Sequence, residues 1–155
     1  MFLYRFGGQN VSSNVAVNGI RRAPTSSVTE IQVTFRSEGP PFADRMLFSW
    51  GGRYDLRLET SGRLWRIGSR LDGTFLIEPD GRRIDVYCSR LPPPQEAMDI
   101  LSRRVLPRVV TFSGRLAIHA AAVSKNGAAL LLLGASGAGK STTAAYLGSG
   151  PVNSV

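Results

Sequence analysis

Gly134-Ala135-Ser136-Gly137-Ala138-Gly139-Lys140-Ser141 is the stretch on which the reading of this chain turns. It fits the phosphate-binding pattern G-x-x-x-x-G-K-[ST]. The apolar run 128–133 ahead of it has the length of a buried strand, and 141–147 behind it can form a helix. Strand, glycine loop and helix is the setting in which the pattern works. Glycines let the backbone curl so that successive N–H groups face phosphate oxygens. The first turn of the following helix adds free amides and the positive end of its dipole. In that arrangement Lys140 reaches the β- and γ-phosphates, the Ser141 hydroxyl ligates Mg²⁺, and Thr142 adds a contact to the α-phosphate. The expected ATP-binding residues are therefore Gly134, Ala135, Ser136, Gly137, Ala138, Gly139, Lys140, Ser141 and Thr142. The competing reading is a chance glycine turn. At average residue usage the fixed positions arise by accident in roughly one chain of this length in a few hundred.

Upstream, residues 1 to about 90 read as β. Short alternating or β-branched runs occur at 28–35, 46–50, 54–58, 64–67, 74–77 and 83–87. Gly51-Gly52, Ser61-Gly62, Asp72-Gly73 and Asp80-Gly81 separate them as turn signals, and the pattern predicts an antiparallel meander. Leu91-Pro-Pro-Pro94 breaks the chain, which gives a β-rich region over 1–92 and a second part over 93–155. There Met98, Leu101, Val105, Val109 and Phe112 fall at helical spacing, with Pro107 expected to kink or divide the helix and Gly114 to end it. A strand over 116–123 and a tight turn at Lys125-Asn126-Gly127 then lead into the strand before the loop. The fold class expected from this order is α/β: a β-rich N-terminal region followed by a truncated P-loop nucleotide-binding core.

Composition is that of an ordinary globular chain of 155 residues, 43% hydrophobic and 19% charged, enough for a core. The 19 basic residues outnumber 11 acidic ones, and all but Lys125 and Lys140 are arginine. A lysine in the loop therefore stands out. The arginines are scattered from Arg5 to Arg115 in runs no longer than two, which argues against a nucleic-acid partner. Cys88 alone makes no intrachain disulfide and reads as a small buried apolar residue; His119 alone rules out a His-based zinc site. No apolar run approaches the roughly 20 residues of a membrane span. The first residues lack the order of a signal peptide, so a cytoplasmic protein is expected. Trp50 and Trp65 read as packing residues of the meander, and Asp85 and Asp99 as surface residues.

All carboxylates lie at or before Asp99. A P-loop enzyme uses one to help hold Mg²⁺ and commonly another to activate the nucleophile. The chain also stops one helix past the loop, before the further parallel strands that such a core needs. These two features lead to the expectation of the N-terminal part of a longer protein.

The string 114–123, Gly-Arg-Leu-Ala-Ile-His-Ala-Ala-Ala-Val, followed by 126–142 through Gly-Ala-Ser-Gly-Ala-Gly-Lys-Ser-Thr, resembles the HPr serine kinase/phosphorylase group, and more closely its HPr-kinase-like members of uncertain substrate. The resemblance is strong over about 114–148 and looser at 54–58 and 62–67. It implies an ATP- and Mg²⁺-dependent kinase that phosphorylates a serine on a protein or peptide, and it allows a homo-oligomer. It puts His119 on the strand before the loop near the transferred phosphate, so that His119 and Lys140 are the catalytic candidates, with Ser141 toward the metal. The family's Asp-Asp pair has no counterpart: the matching segment reads Pro151-Val-Asn-Ser-Val155. Two further readings compete. One is a P-loop ATPase such as the ATP-binding subunit of a transporter, which the loop string alone allows but the β pattern of 1–113 does not favour. The other is a noncatalytic nucleotide-binding remnant.

Overall fold

The structure, a computed structural model, describes residues 1–148 and the backbone of Asn153–Ser154. The chain divides into two compact units, Met1–Ala117 and Ile118–Val155.

Alternation of side chains builds the first unit. Nine strands, β1 (Phe2–Phe6), β2 (Gln9–Ser13), β3 (Arg21–Arg22), β4 (Ile31–Arg36), β5 (Arg45–Trp50), β6 (Leu56–Ser61), β7 (Leu64–Ser69), β8 (Thr74–Ile77) and β9 (Arg83–Tyr87), form one sheet in the order β3-β1-β2-β4-β9-β8-β7-β6-β5. Since successive residues point to opposite faces, cross-strand partners line up in rows. Phe35, Val86, Phe75, Ile67 and Leu58 make one apolar row, and Val33, Ile84 and Ile77 another. Phe75, Ile84 and Val86 are fully buried.

A helical rod over 95–113 belongs to this core. It runs as α1 (Gln95–Ile100), a wider π turn (Leu101–Val105), α2 (Leu106–Val109) and a tight 3₁₀ turn (Val110–Ser113). Ala97, Ile100, Leu101, Val105, Leu106, Val109 and Val110 join the sheet's apolar residues in one cluster. Pro107 has no N–H to donate to the preceding turn, and the rod changes its winding at that point. Gly114, at φ 77°, ends it in the left-handed conformation. Phe112, expected on the buried stripe, is 46% exposed.

The meander expected for the β region holds for β5 through β9, where every neighbouring pair is antiparallel. Beyond it, β4 runs parallel to both β9 and β2, so the sheet is mixed. At the end of the β2–β4 ladder the Asn14 side chain takes over: its Nδ2 donates to the Phe35 carbonyl and its Oδ1 accepts from the Phe35 N–H. Cys88 is buried, as expected.

The second unit is small. β10 (Ala121–Lys125) and β11 (Ala128–Leu132) pair antiparallel, β12 (Asn153–Ser154) lies on the other side of β10, and α3 (Lys140–Gly148) follows the glycine loop. This corrects the expected fold class. Among the described residues the protein is β-rich, with a nine-stranded mixed sheet, one long segmented helix and one short one, and shows no α/β P-loop core. The reason lies in the connection. Lys125 pairs with Ala128, so only Asn126 and Gly127 turn the chain, both at positive φ (51° and 79°). A two-residue turn joins antiparallel strands only; a parallel pair needs a crossover of a dozen residues or more. Among the described residues, parallel pairing occurs solely in the first unit.

Two outcomes follow for the larger unit. The Tyr4 hydroxyl, buried, accepts the Val17 N–H at 2.7 Å. Tyr4→Phe leaves that N–H unsatisfied and is expected to lower stability by about 1–3 kcal/mol in urea unfolding. Burial, with Asp72 adding its negative charge, pushes the Cys88 thiol up to about 11 from an ordinary 9.0. Between those values the unfolded chain has lost the proton that the folded chain keeps, so stability is full below pH 9 and falls as pH rises toward 11. Cys88→Ala is expected to flatten that part of the stability–pH curve.

Candidate functional site

The glycines of the loop adopt backbone angles that other residues avoid. Gly134, Gly137 and Gly139 have φ of 152°, 81° and 76°. A turn closes between them, with the Ala138 N–H donating to the Ala135 carbonyl at 3.2 Å. The Thr143 N–H then donates to the Gly139 carbonyl at 2.9 Å, the first helical bond of α3. The N–H groups ahead of it have no partner within the helix. Residues 133–139, Ser141 and Thr142 are all exposed, so the amides at this helix start face solvent. No acidic side chain stands in the first turn to compete for them.

Lys140 curls back over the loop. Its Nζ donates to the carbonyls of Gly134 at 2.9 Å and Ala135 at 2.8 Å. An ammonium carries three donors, so two fix the side chain across the loop mouth and one remains for an anion. The loop therefore combines a held positive charge, exposed amides and a helix N-terminus, which together favour a polyphosphate. The Ser141 hydroxyl is exposed beside them and is of the kind that ligates Mg²⁺ next to bound phosphates. The structure places residues 134–142 in one loop and the start of α3.

His119 is a different case. The strand expected over 116–123 begins only at Ala121, and His119 lies exposed in the irregular stretch ahead of it. The ladder stops because β11 ends at Leu132, whose partner is Ala121, and the chain then turns at Gly134. Without a partner strand, 119–120 have no rung to join. Antiparallel pairing still makes the lead-in to β10 and the exit from β11 leave the hairpin at the same end, so His119 and Gly134 each stand two residues beyond the Ala121–Leu132 pair. The segment in which the resemblance puts the Asp-Asp pair, 151–155, lies outside the described residues apart from the backbone of Asn153–Ser154. Among the described residues no three His, Cys, Asp or Glu side chains gather where they would hold a metal, and no helix is long and apolar enough to cross a membrane.

Compared with known proteins, the chain matches no family model, no curated protein and no solved structure.

Alanine at Gly137 or Gly139 would force a Cβ into the left-handed region, at about 1–2 kcal/mol per residue. Exchange of the hydrogen-bonded amides of Ala138 and Thr143 is expected to speed up by about tenfold in Gly139→Ala, 1.4 kcal/mol being a factor of ten, while exchange in β4 and β9 stays unchanged.

Proposed function

We propose that residues 134–142 bind the phosphates of Mg-ATP and that the chain serves phosphoryl transfer to a serine of a protein or peptide, in the manner of the HPr serine kinase type. The observation that carries the reading is the Lys140 side chain, held over a loop of positive-φ glycines at the start of a helix with exposed amides. The transfer itself is supported by the resemblance of 114–148 alone.

In this reading Lys140 stabilises charge that builds on the β- and γ-oxygens during transfer, and the loop amides hold the nucleotide in position. Mg²⁺, when bound, neutralises the same oxygens, with Ser141 as its ligand. His119, at the same end of the hairpin as Gly134, stands ready to contact the transferred group. The protein works in the cytoplasm on a protein substrate.

One observation favours a second reading. Residues 118–155 contain no Asp or Glu, so this unit's own side chains supply neither a carboxylate base nor a carboxylate metal ligand. Nucleotide binding without transfer is the outcome such a unit supports by itself.

Calorimetric titration of the full chain with Mg-ATP separates the possibilities. Lys140→Ala removes charge-assisted bonds and is expected to weaken binding by about ten- to a hundredfold. Unchanged affinity in that variant would overturn the site. ATP carrying labelled γ-phosphate, incubated with the chain and a serine-containing protein acceptor, should yield phosphoserine if the kinase reading holds. Binding with no phosphoserine formed selects the second reading.

A further inference from the structure

The face of the large sheet turned away from the helical rod is mostly polar along β6 and β7, with Leu76 of β8 buried among its side chains, and these also stand in rows. Glu59 pairs with Arg66, and Arg57 with Gly68, which in turn pairs with Thr74. On β7, third from the β5 edge, Gly68 bears no side chain. Its φ is not in the left-handed region, so the backbone does not demand a glycine there. The space is tight: a Cβ at Gly68 would stand 3.1 Å from Arg66 Nη1 and 3.5 Å from Glu59 Oε2, so the Arg66 guanidinium would have to shift to admit one. The missing side chain leaves a hollow of about 250 Å³ lined by Arg57, Glu59, Arg66, Gly68, Ser69, Arg70 and Thr74.

The charge in this hollow is unbalanced. Three guanidinium groups face one carboxylate. Glu59, only 8% exposed, is held by Arg66 Nη1. Arg66 Nε is buried with no partner, and the side chains of Arg57 and Arg70 make no ion pair or hydrogen bond among the described residues. The Arg66 guanidinium is held below its usual range, first by burial and then by repulsion from Arg57. Like charges crowded around a partly dry hollow are relieved by an anion with several acceptor oxygens. Guanidinium forks and a threonine hydroxyl match the oxygens of a phosphoryl group. The volume lies below the roughly 300–1,000 Å³ of sites for drug-sized ligands, which suits a compact ion.

We propose that the hollow over Gly68 is a binding site for a phosphate-sized dianion, either inorganic phosphate or the phosphoryl group of a small metabolite, held by Arg57, Arg66, Arg70 and Thr74. Glu59 orients Arg66 and keeps the site from closing by repulsion. The site is independent of the glycine loop.

The test uses the full chain carrying Lys140→Ala, so that the loop contributes little, and titrates inorganic phosphate and, separately, glycerol 3-phosphate. Saturable binding of at least one of the two is expected. Adding Arg57→Gln, an exposed position whose loss leaves the core intact, should weaken that binding about tenfold or more. Gly68→Ala should weaken it by displacing Arg66, and Arg83→Gln, which sits on the same face but pairs with Glu78, should leave it unchanged. Equal affinity for the two probes identifies the bare ion as sufficient; preference for the ester identifies a metabolite. No saturable binding of either, or binding unchanged in Arg57→Gln, would overturn the proposal.

Discussion

Burial of one face of a nine-stranded sheet beneath the rod at 95–113 governs residues 1–117. β4 and β6 through β9 offer the core Phe, Val, Ile or Leu at alternate residues, and a slip of one residue would turn those rows over. Phe75, Ile84 and Val86, with no exposed surface, sit where rows from β4, β9, β8 and β7 converge. The same alternation commits the opposite face to Arg57, Glu59, Arg66 and Thr74. The arginine hollow is thus a by-product of the register that builds the core, given its shape by the absent side chain at Gly68.

The smaller unit obeys a different constraint. Asn126 and Gly127, both at positive φ, make a two-residue turn, and the turn makes β10 and β11 antiparallel. The glycine loop then leaves the end of β11 and starts α3. What the loop needs locally is present: glycines with room to curl, a helix start and a lysine tethered by two carbonyls. What a P-loop core adds around it, parallel strands on either side, is not among the described residues. The phosphate chemistry proposed for the loop therefore rests on local geometry and on the resemblance, and owes nothing to the larger fold.

Much of the strand pattern was legible because it is local. Asp72-Gly73 and Asp80-Gly81 do separate β7, β8 and β9, and Ser61-Gly62 does turn β6 into β7. The parallel pairings of β4 were not legible, since alternation marks Ile31–Arg36 as a strand without saying which strand it joins. Leu116–Ala120 reads as strand by composition but finds no partner once β11 ends. The loop glycines were legible from spacing, because positive φ at Gly137 and Gly139 is a property of the glycines themselves. The arginine hollow was hidden because its charges are spread over Arg57, Arg66 and Arg70. A signal did exist: folding the β6–β7 hairpin about Gly62 sets Glu59 opposite Arg66 and Arg57 opposite Gly68.

Amide hydrogen exchange over residues 134–143, with and without Mg-ATP, tests the central claim most directly. The exposed amides of the loop and of the first turn of α3 should exchange rapidly in the free chain, and Mg-ATP should slow them while leaving the amides of Ala121–Lys125 at their own rate. Loop amides that exchange equally fast in the presence of saturating Mg-ATP would contradict the account.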